Sequence, residues 1–309
     1  MRKTGLLLVL VCSCLFSIPV FAQPSFPENG TADPRHGYYA FTNATIVKDA
    51  ATTLSNATLV IKDGKIVSVG AGLAVPAGAV EVDCKGKYIY PSFIDIYTDY
   101  GTPQRPQTTG GGGFNFNQQP QLENAVKGPY GWNQAIKSDV DVYKVFSVSE
   151  ASAKPLREAG FGTVLTHVKD GVARGTGAIV TLANEKENLV IVKEKASAHY
   201  SFNKGTSGQS YPGSMMGYIA LLRQTYLDAA WYKNKPYLEG FNATLQSWND
   251  NQGLPQVFEA GDKWNDLRAD RIGDEFGVQY IIKAGQNEYQ RIKEMKASNA
   301  TFILPLNYP

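Results

Sequence analysis

Histidine is the scarcest chemical resource in this 309-residue chain, with His36, His167 and His199 as its whole supply. Neutral imidazole is the usual nitrogen ligand for zinc or iron near neutral pH, so a supply of three puts any histidine-rich metal cluster in difficulty. His167 is best placed, at the end of the apolar run FGTVLTHV (161–168). His36 precedes the first strand-like run, and His199 reads as a loop residue in Ser197-Ala198-His199-Tyr200. The plain reading of all three is a surface or hydrogen-bonded histidine. Two carboxylates, Asp99 and Glu259, fall at strand ends, where they could do acid–base work if one had a raised pKa. Against that stands a pair of solvated side chains, with Lys283 as ion partner. Ser214 opens a helical stretch and no G-x-S-x-G pattern occurs, so it reads as a helix cap and not a nucleophile. TTGGGG (108–113) lacks both the following Lys-Ser/Thr and an immediate helix, so it is no phosphate cradle.

The elements that must position these groups fall into two regions. Residues 38–91 alternate apolar and polar side chains in YYAFTNATIV, ATLVIKDGKIVSVG and AVEVDCKGKYIYP. Turn signals at Asp63-Gly64, Pro76-Ala77-Gly78 and Lys85-Gly86 separate the runs. They predict a small antiparallel sheet that needs a partner layer. From residue 92 onward, apolar runs recur at 92–97, 161–168, 255–260, 278–284 and 300–306. Helices fit over 214–234, 262–277 and 286–298. In the second, Trp264, Leu267, Ile272 and Phe276 trace an approximate stripe. This alternation predicts parallel strands under covering helices, as in a barrel or an open doubly wound sheet. Residues 102–135 read as a long polar loop. KDGVARGTGAIV (169–180) reads either as a ligand-facing loop or as a tight loop entering a strand at 178–182. Aromatic side chains in loop-like segments, Trp132, Tyr200, Tyr211 and Trp248 among them, either stack on sugars and peptides or close a core.

The first 22 residues, MRKTGLLLVLVCSCLFSIPVFA, have a basic start, a short apolar run and a small-residue end, which predicts a secretory signal peptide followed by a leader to residue 37. Its removal takes Arg2 and Lys3 and leaves 28 basic and 28 acidic residues. A net-neutral surface offers nothing to nucleic acid. Cys12 and Cys14 leave with it, so Cys84 remains without an intramolecular disulfide partner. The expectation is an exported protein, periplasmic or extracellular, with no transmembrane helix after cleavage.

The series ATLVIKDGKIVSVGAG, VDCKGKYIYPSFIDIYTDYG, LREAGFGTVLTHV and PQVFEAGDKWNDLRADRIGDEFGVQYIIKAGQNEY resembles the metal-dependent amidohydrolase superfamily, in particular its imidazolonepropionase-like group. The resemblance runs from about residue 40 to the end of the chain. It implies an N-terminal β-sandwich part (38–91) leading into a TIM-like (β/α)8 barrel (92–309), C–N bond hydrolysis, and zinc or iron as cofactor. In that family the first barrel strand reads Pro-Gly-x-Ile-Asp-x-His-x-His. Here Tyr97 and Asp99 stand at the two histidine positions, after an Asp95 that keeps its place. The later histidine positions hold Phe258, Glu259 and Ala260, then Lys283 and Ala284. The last run resembles a seventh strand, so the barrel reads as incomplete and open-edged.

A phenol titrating near ~10 does not replace imidazole on a catalytic ion. No resident metal is therefore expected. Two readings remain: a degenerate N-terminal amidohydrolase module that works with the remainder of a longer chain or a second module, or a non-catalytic module of the cell envelope binding a peptide or glycan. A metal-free amidase using Asp99, Glu259 and His167 is a third.

Overall fold

The computed structural model describes residues 37–103, 123–235, 238 and 240–306. The expected signal peptide, the leader with His36, and residues 104–122 of the long loop lie outside them. The chain divides into two compact units, Met1–Pro91 and Ser92–Pro309.

In the first unit, β1 (Tyr38–Val47), β2 (Thr53–Lys62) and β3 (Lys65–Ala71) form an antiparallel meander. Asp63 and Gly64 both take positive φ, 50° and 70°. A two-residue hairpin needs that geometry, because its twist then matches the strands it joins. The segment after β3 returns to the start of β1. As a result β4 (Val80–Asp83) and β5 (Tyr88–Ile89) run parallel to β1, end to end along its free side. The expected antiparallel sandwich part is thus a single mixed five-stranded sheet among the described residues. One face of it buries Ala44, Ile46, Ala57 and the free thiol of Cys84.

The second unit is built on a seven-stranded sheet whose strands lie in chain order: β6 (Phe93–Thr98), β7 (Phe161–Thr166), β8 (Ala173–Thr181), β9 (Ile191–Ser201), β10 (Gln256–Glu259), β11 (Tyr280–Lys283) and β12 (Thr301–Ile303). The sheet is open, so the expected barrel closure is not present among the described residues. The sheet is also not all parallel, since β8 runs antiparallel to both β7 and β9. Linker length explains this. A parallel crossover takes about a dozen residues or more, and only residues 167–172 join β7 to β8. The links from β9 to β12 carry helices, and those strands are parallel.

The helices are α1 (Glu150–Glu158), the short α2 (Glu187–Val190), α3 (Met215–Asn234), α4 (Ala243–Asn251), α5 (Lys263–Phe276) and α6 (Ile292–Ser298). The side chains of Ser149, Ser214, Asn242 and Asp262 accept backbone N–H groups at the starts of α1, α3, α4 and α5. Ser214 is thereby a cap, bonded to Gly217 N–H at 3.2 Å. The buried face of α5 is Asp266, Ala269, Ile272 and Gly273, whereas Trp264 on the expected stripe is 45% exposed and lies under Arg291. The expected 286–298 helix is a 3-10 turn, Glu288–Arg291, followed by α6.

The pleat divides the sheet's chemistry. Paired residues share a face, so Tyr200, Phe258 and Ile282 lie in one row. They join Leu221, Leu222, Trp248 and Tyr280 in the main apolar cluster. On the opposite face, Ser201, Glu259 and Lys283 form one row, and His199 and Val257 belong to the next.

Candidate strand-end site

That second face gathers polar side chains from six neighbouring strands or their ends. Tyr97 comes from β6, His167 from the residue after β7, Arg174 from the start of β8, His199 from β9, Glu259 from β10 and Lys283 from β11. Because β8 runs antiparallel, its first residues lie at the same end of the sheet as the last residues of its neighbours.

Arg174 is the centre of the group and is only 3% exposed. Its Nη1 donates to the Tyr97 hydroxyl at 2.9 Å, its Nη2 pairs with Glu259 Oε2 at 2.7 Å, and its Nε donates to Gly171 O at 3.4 Å. Arg174 thus bridges the Tyr97 hydroxyl and the Glu259 carboxylate. Burial pushes the Tyr97 phenol well above its ordinary range, with the Glu259 charge adding to the effect. For Glu259, burial works to raise the carboxyl, but the Arg174 charge and hydrogen bond outweigh it and hold it below the usual range. The condition that would make Glu259 a general acid is therefore reversed here.

The two imidazoles lie side by side. His167 and His199 stack with ring centroids 3.7 Å apart and planes 6° from parallel, and Tyr97 tilts against His167 at 4.7 Å. His199 sits in β9 and is 1% exposed, which corrects its loop assignment. Its Nε2 lies 2.7 Å from Ser197 Oγ and its Nδ1 has no hydrogen-bond partner. Burial lowers its pKa to about 3, with the Arg174 and Lys169 charges in support, so the ring is neutral at physiological pH.

The remaining predicted residues lie at the edge of this group. Lys283 Nζ stands 5.7 Å from the Tyr97 ring centre and donates to Ala284 O at 3.0 Å. Asp99 is more than half exposed and pairs with Lys169 at 3.4 Å, away from Glu259. Asp95 accepts the Tyr97 N–H at 2.9 Å, a local turn that fixes the backbone at the end of β6. Ala284 is buried and its N–H donates to Ile303 O. Tyr97, His167, Glu259 and Lys283 are thus brought together. Asp99 and Ala284 are not part of the polar network.

A divalent ion does not fit this donor set. Lone pairs on parallel stacked rings lie in separate planes and do not converge on one point. The nearby carboxylate is already held by a guanidinium, which donates hydrogen bonds and accepts none. Among the described residues, no group of three or more His, Cys, Asp and Glu side chains is placed to hold a metal ion.

Sequence reasoning missed Arg174 because it lies in ARGTGAIVT, which looks like a loop. The structure makes this stretch the most completely buried strand of the unit. Its small residues are the signal. A Cβ on Gly177 would come within 2.6 Å of both His199 Nε2 and Ser197 Oγ, so the glycine is what admits the histidine.

No protein-family model matches the chain. Over 91 residues it is 31% identical to a dihydroorotase from Trichlorobacter lovleyi, a match covering 25% of this chain and 21% of the dihydroorotase. The chain is similar in structure to an amidohydrolase from Thermotoga maritima MSB8, with a TM-score of 0.66 and 20% identity. That match covers 87% of this chain and 70% of the other. The chain therefore shares its fold with that amidohydrolase structure, in keeping with the resemblance read from the sequence.

Proposed function

We propose that this chain is an exported amidohydrolase-superfamily module in which the site of a divalent ion has been taken over by the Arg174 guanidinium. It then has no C–N hydrolase activity of its own. The family's zinc or iron would be held by histidines at the positions of Tyr97, Asp99 and Ala284; a phenol and a methyl group do not replace imidazole, and the single carboxylate of Asp99 does not make a site. One observation carries the reading: the buried Arg174 guanidinium joins the Tyr97 hydroxyl and the Glu259 carboxylate at the strand ends. The guanidinium satisfies the carboxylate that a metal would otherwise neutralise. Hydrolysis would then belong to a second module carrying the histidines, on the same or another chain.

The test is elemental analysis of the purified chain after incubation with zinc, iron or manganese salts and desalting. Less than a stoichiometric amount of each is expected. A full equivalent that disappears in Asp99→Ala overturns the proposal, as does amide turnover lost on chelation. Export rests on residues 1–22. Protein recovered outside the cytoplasm should begin at Gln23, and a retained Met1 would count against it.

A further inference from the structure

A large hollow of the second unit lies at a different place from the strand-end group. It is about 620 Å³, within the ordinary range for small-molecule sites, and shares no residue with the Arg174 network. Its walls are the segment 124–132, the last turns of α3 and the first turn of α4. Three aromatic side chains line it: Tyr130, Trp132 and Trp231. Tyr130 is 43% exposed and Trp231 39%, in a protein whose Trp248 is wholly buried. Trp132 stacks on Tyr211 with planes 19° apart, which leaves its orientation fixed.

The wall is rigid. Asn124 Nδ2 donates to Gly131 O at 2.7 Å, Gly131 N–H donates to Thr244 Oγ1 at 3.0 Å, and Ala243 N–H donates to Pro129 O at 2.6 Å. These bonds fasten the aromatic segment to the start of α4. Gly128, at φ +134°, lets the Tyr130 ring lie against it, since a Cβ there would come 2.8 Å from the ring. A second hollow of about 450 Å³ shares Asn124, Val126 and Tyr130 with the first, so the two adjoin at the tyrosine.

We propose that this groove binds a neutral oligosaccharide. The charges favour an uncharged ligand: the first hollow has one cation and one anion, Lys127 and Asp228, and the second has Lys137 and Asp139. The aromatic rings offer apolar faces to the C–H sides of pyranose rings, while the Asp228 carboxylate accepts from hydroxyl groups. Two adjoining hollows suit several linked units in place of one small molecule. A peptide fits less well, because no sheet edge with free backbone groups lines either hollow, and β-addition is what usually gives an extended peptide its affinity. The proposal does not depend on the reading of the strand-end centre.

The test uses the whole purified chain with cellopentaose, maltopentaose, the N-acetylglucosamine pentamer and an alanine-rich pentapeptide. At least one pentasaccharide should bind saturably, change tryptophan emission, and shield a tryptophan of the wild-type protein from oxidation by N-bromosuccinimide. Affinity should fall about tenfold or more in Trp231→Ala and in Tyr130→Ala, and be unchanged in Trp264→Phe. The shielding experiment needs no variant, so misfolding of a variant does not rescue or sink the idea. It is overturned if none of the three sugars binds at millimolar concentration, if binding survives both alanine variants, or if the peptide binds and the sugars do not.

Discussion

The guanidinium of Arg174 and the carboxylate of Glu259 meet at 2.7 Å, on strands that are not neighbours in the sheet. β9 runs between them, and it contributes His199 to the same group. A positive charge held by the chain itself, with 3% exposure, thus neutralises the carboxylate.

Breaking this pair from one side should cost more than removing both partners. Arg174→Met leaves Glu259 and the Tyr97 hydroxyl without their donor. We expect a loss of about 2 kcal/mol, less than for a wholly buried pair because Glu259 keeps a third of its side chain exposed. The double variant Arg174→Met with Glu259→Leu should regain most of it. Urea denaturation of the three proteins measures the coupling, and additive losses would show that the two side chains act independently.

The dependence of stability on pH should have two opposing parts. Asp266 on α5 is fully buried, and burial with the adjacent Glu288 raises its carboxyl to about 8, with Asp262 adding to the effect and Lys283 opposing it. Its contribution is complete below its ordinary value of 3.8 and is lost as pH rises toward 8. His199 behaves in the opposite sense. Its contribution is complete above its ordinary 6.5 and is lost as pH falls toward 3. The two slopes offset one another over the acidic range they share. Above pH 6.5 only Asp266 remains, and stability should fall by up to about 1.4 kcal/mol per pH unit until pH 8. Denaturant midpoints across that interval should flatten in Asp266→Asn. A slope unchanged in that variant would remove Asp266 as its source.

What the sequence disclosed depended on how strongly each element announced its period. Asp63-Gly64 between two alternating runs was enough to place the β2–β3 hairpin. The runs that became β10, β11 and β12 were legible because helices of ordinary polarity separate them. The direction of β8 was not legible. Its glycines and threonine are buried for lack of volume and not for hydrophobicity, and they carry no apolar signal. His199 was hidden in a related way. Ser197, His199 and Ser201 alternate with Ala198 and Tyr200 as a strand should, but polar residues at period two ordinarily mark a solvent face. Here that face is covered, and the histidine is 1% exposed. Tyr97, Glu259 and Lys283 could be picked out as strand-end residues. Their common partner could not, because it arrives on a strand of opposite direction.

That strand of opposite direction makes a sharp prediction at Gly175, the residue after Arg174. Its φ is +78°, which side chains with a Cβ rarely adopt, and a Cβ there would lie 1.9 Å from Val140 O and 3.0 Å from Lys137 O. Both contacts are backbone atoms and cannot turn aside as a side chain could. Val140 O also accepts the Thr176 N–H, and Lys137 N–H donates to Ala173 O, so the two segments are tied on either side of the glycine. Gly175→Ala must separate them or distort β8, and either movement shifts Arg174 away from Glu259. We expect a loss of several kcal/mol together with an upward shift of the His199 pKa, because the nearby positive charge that helps to depress it moves off. Gly64→Ala is the matched control. It has a similar φ of +70° but nothing within 4 Å of the added carbon, so it isolates the backbone term. Thermal midpoints of the two variants, with histidine titration by NMR, separate strain from collision. Equal losses in both would mean that the close approach of Val140 contributes nothing.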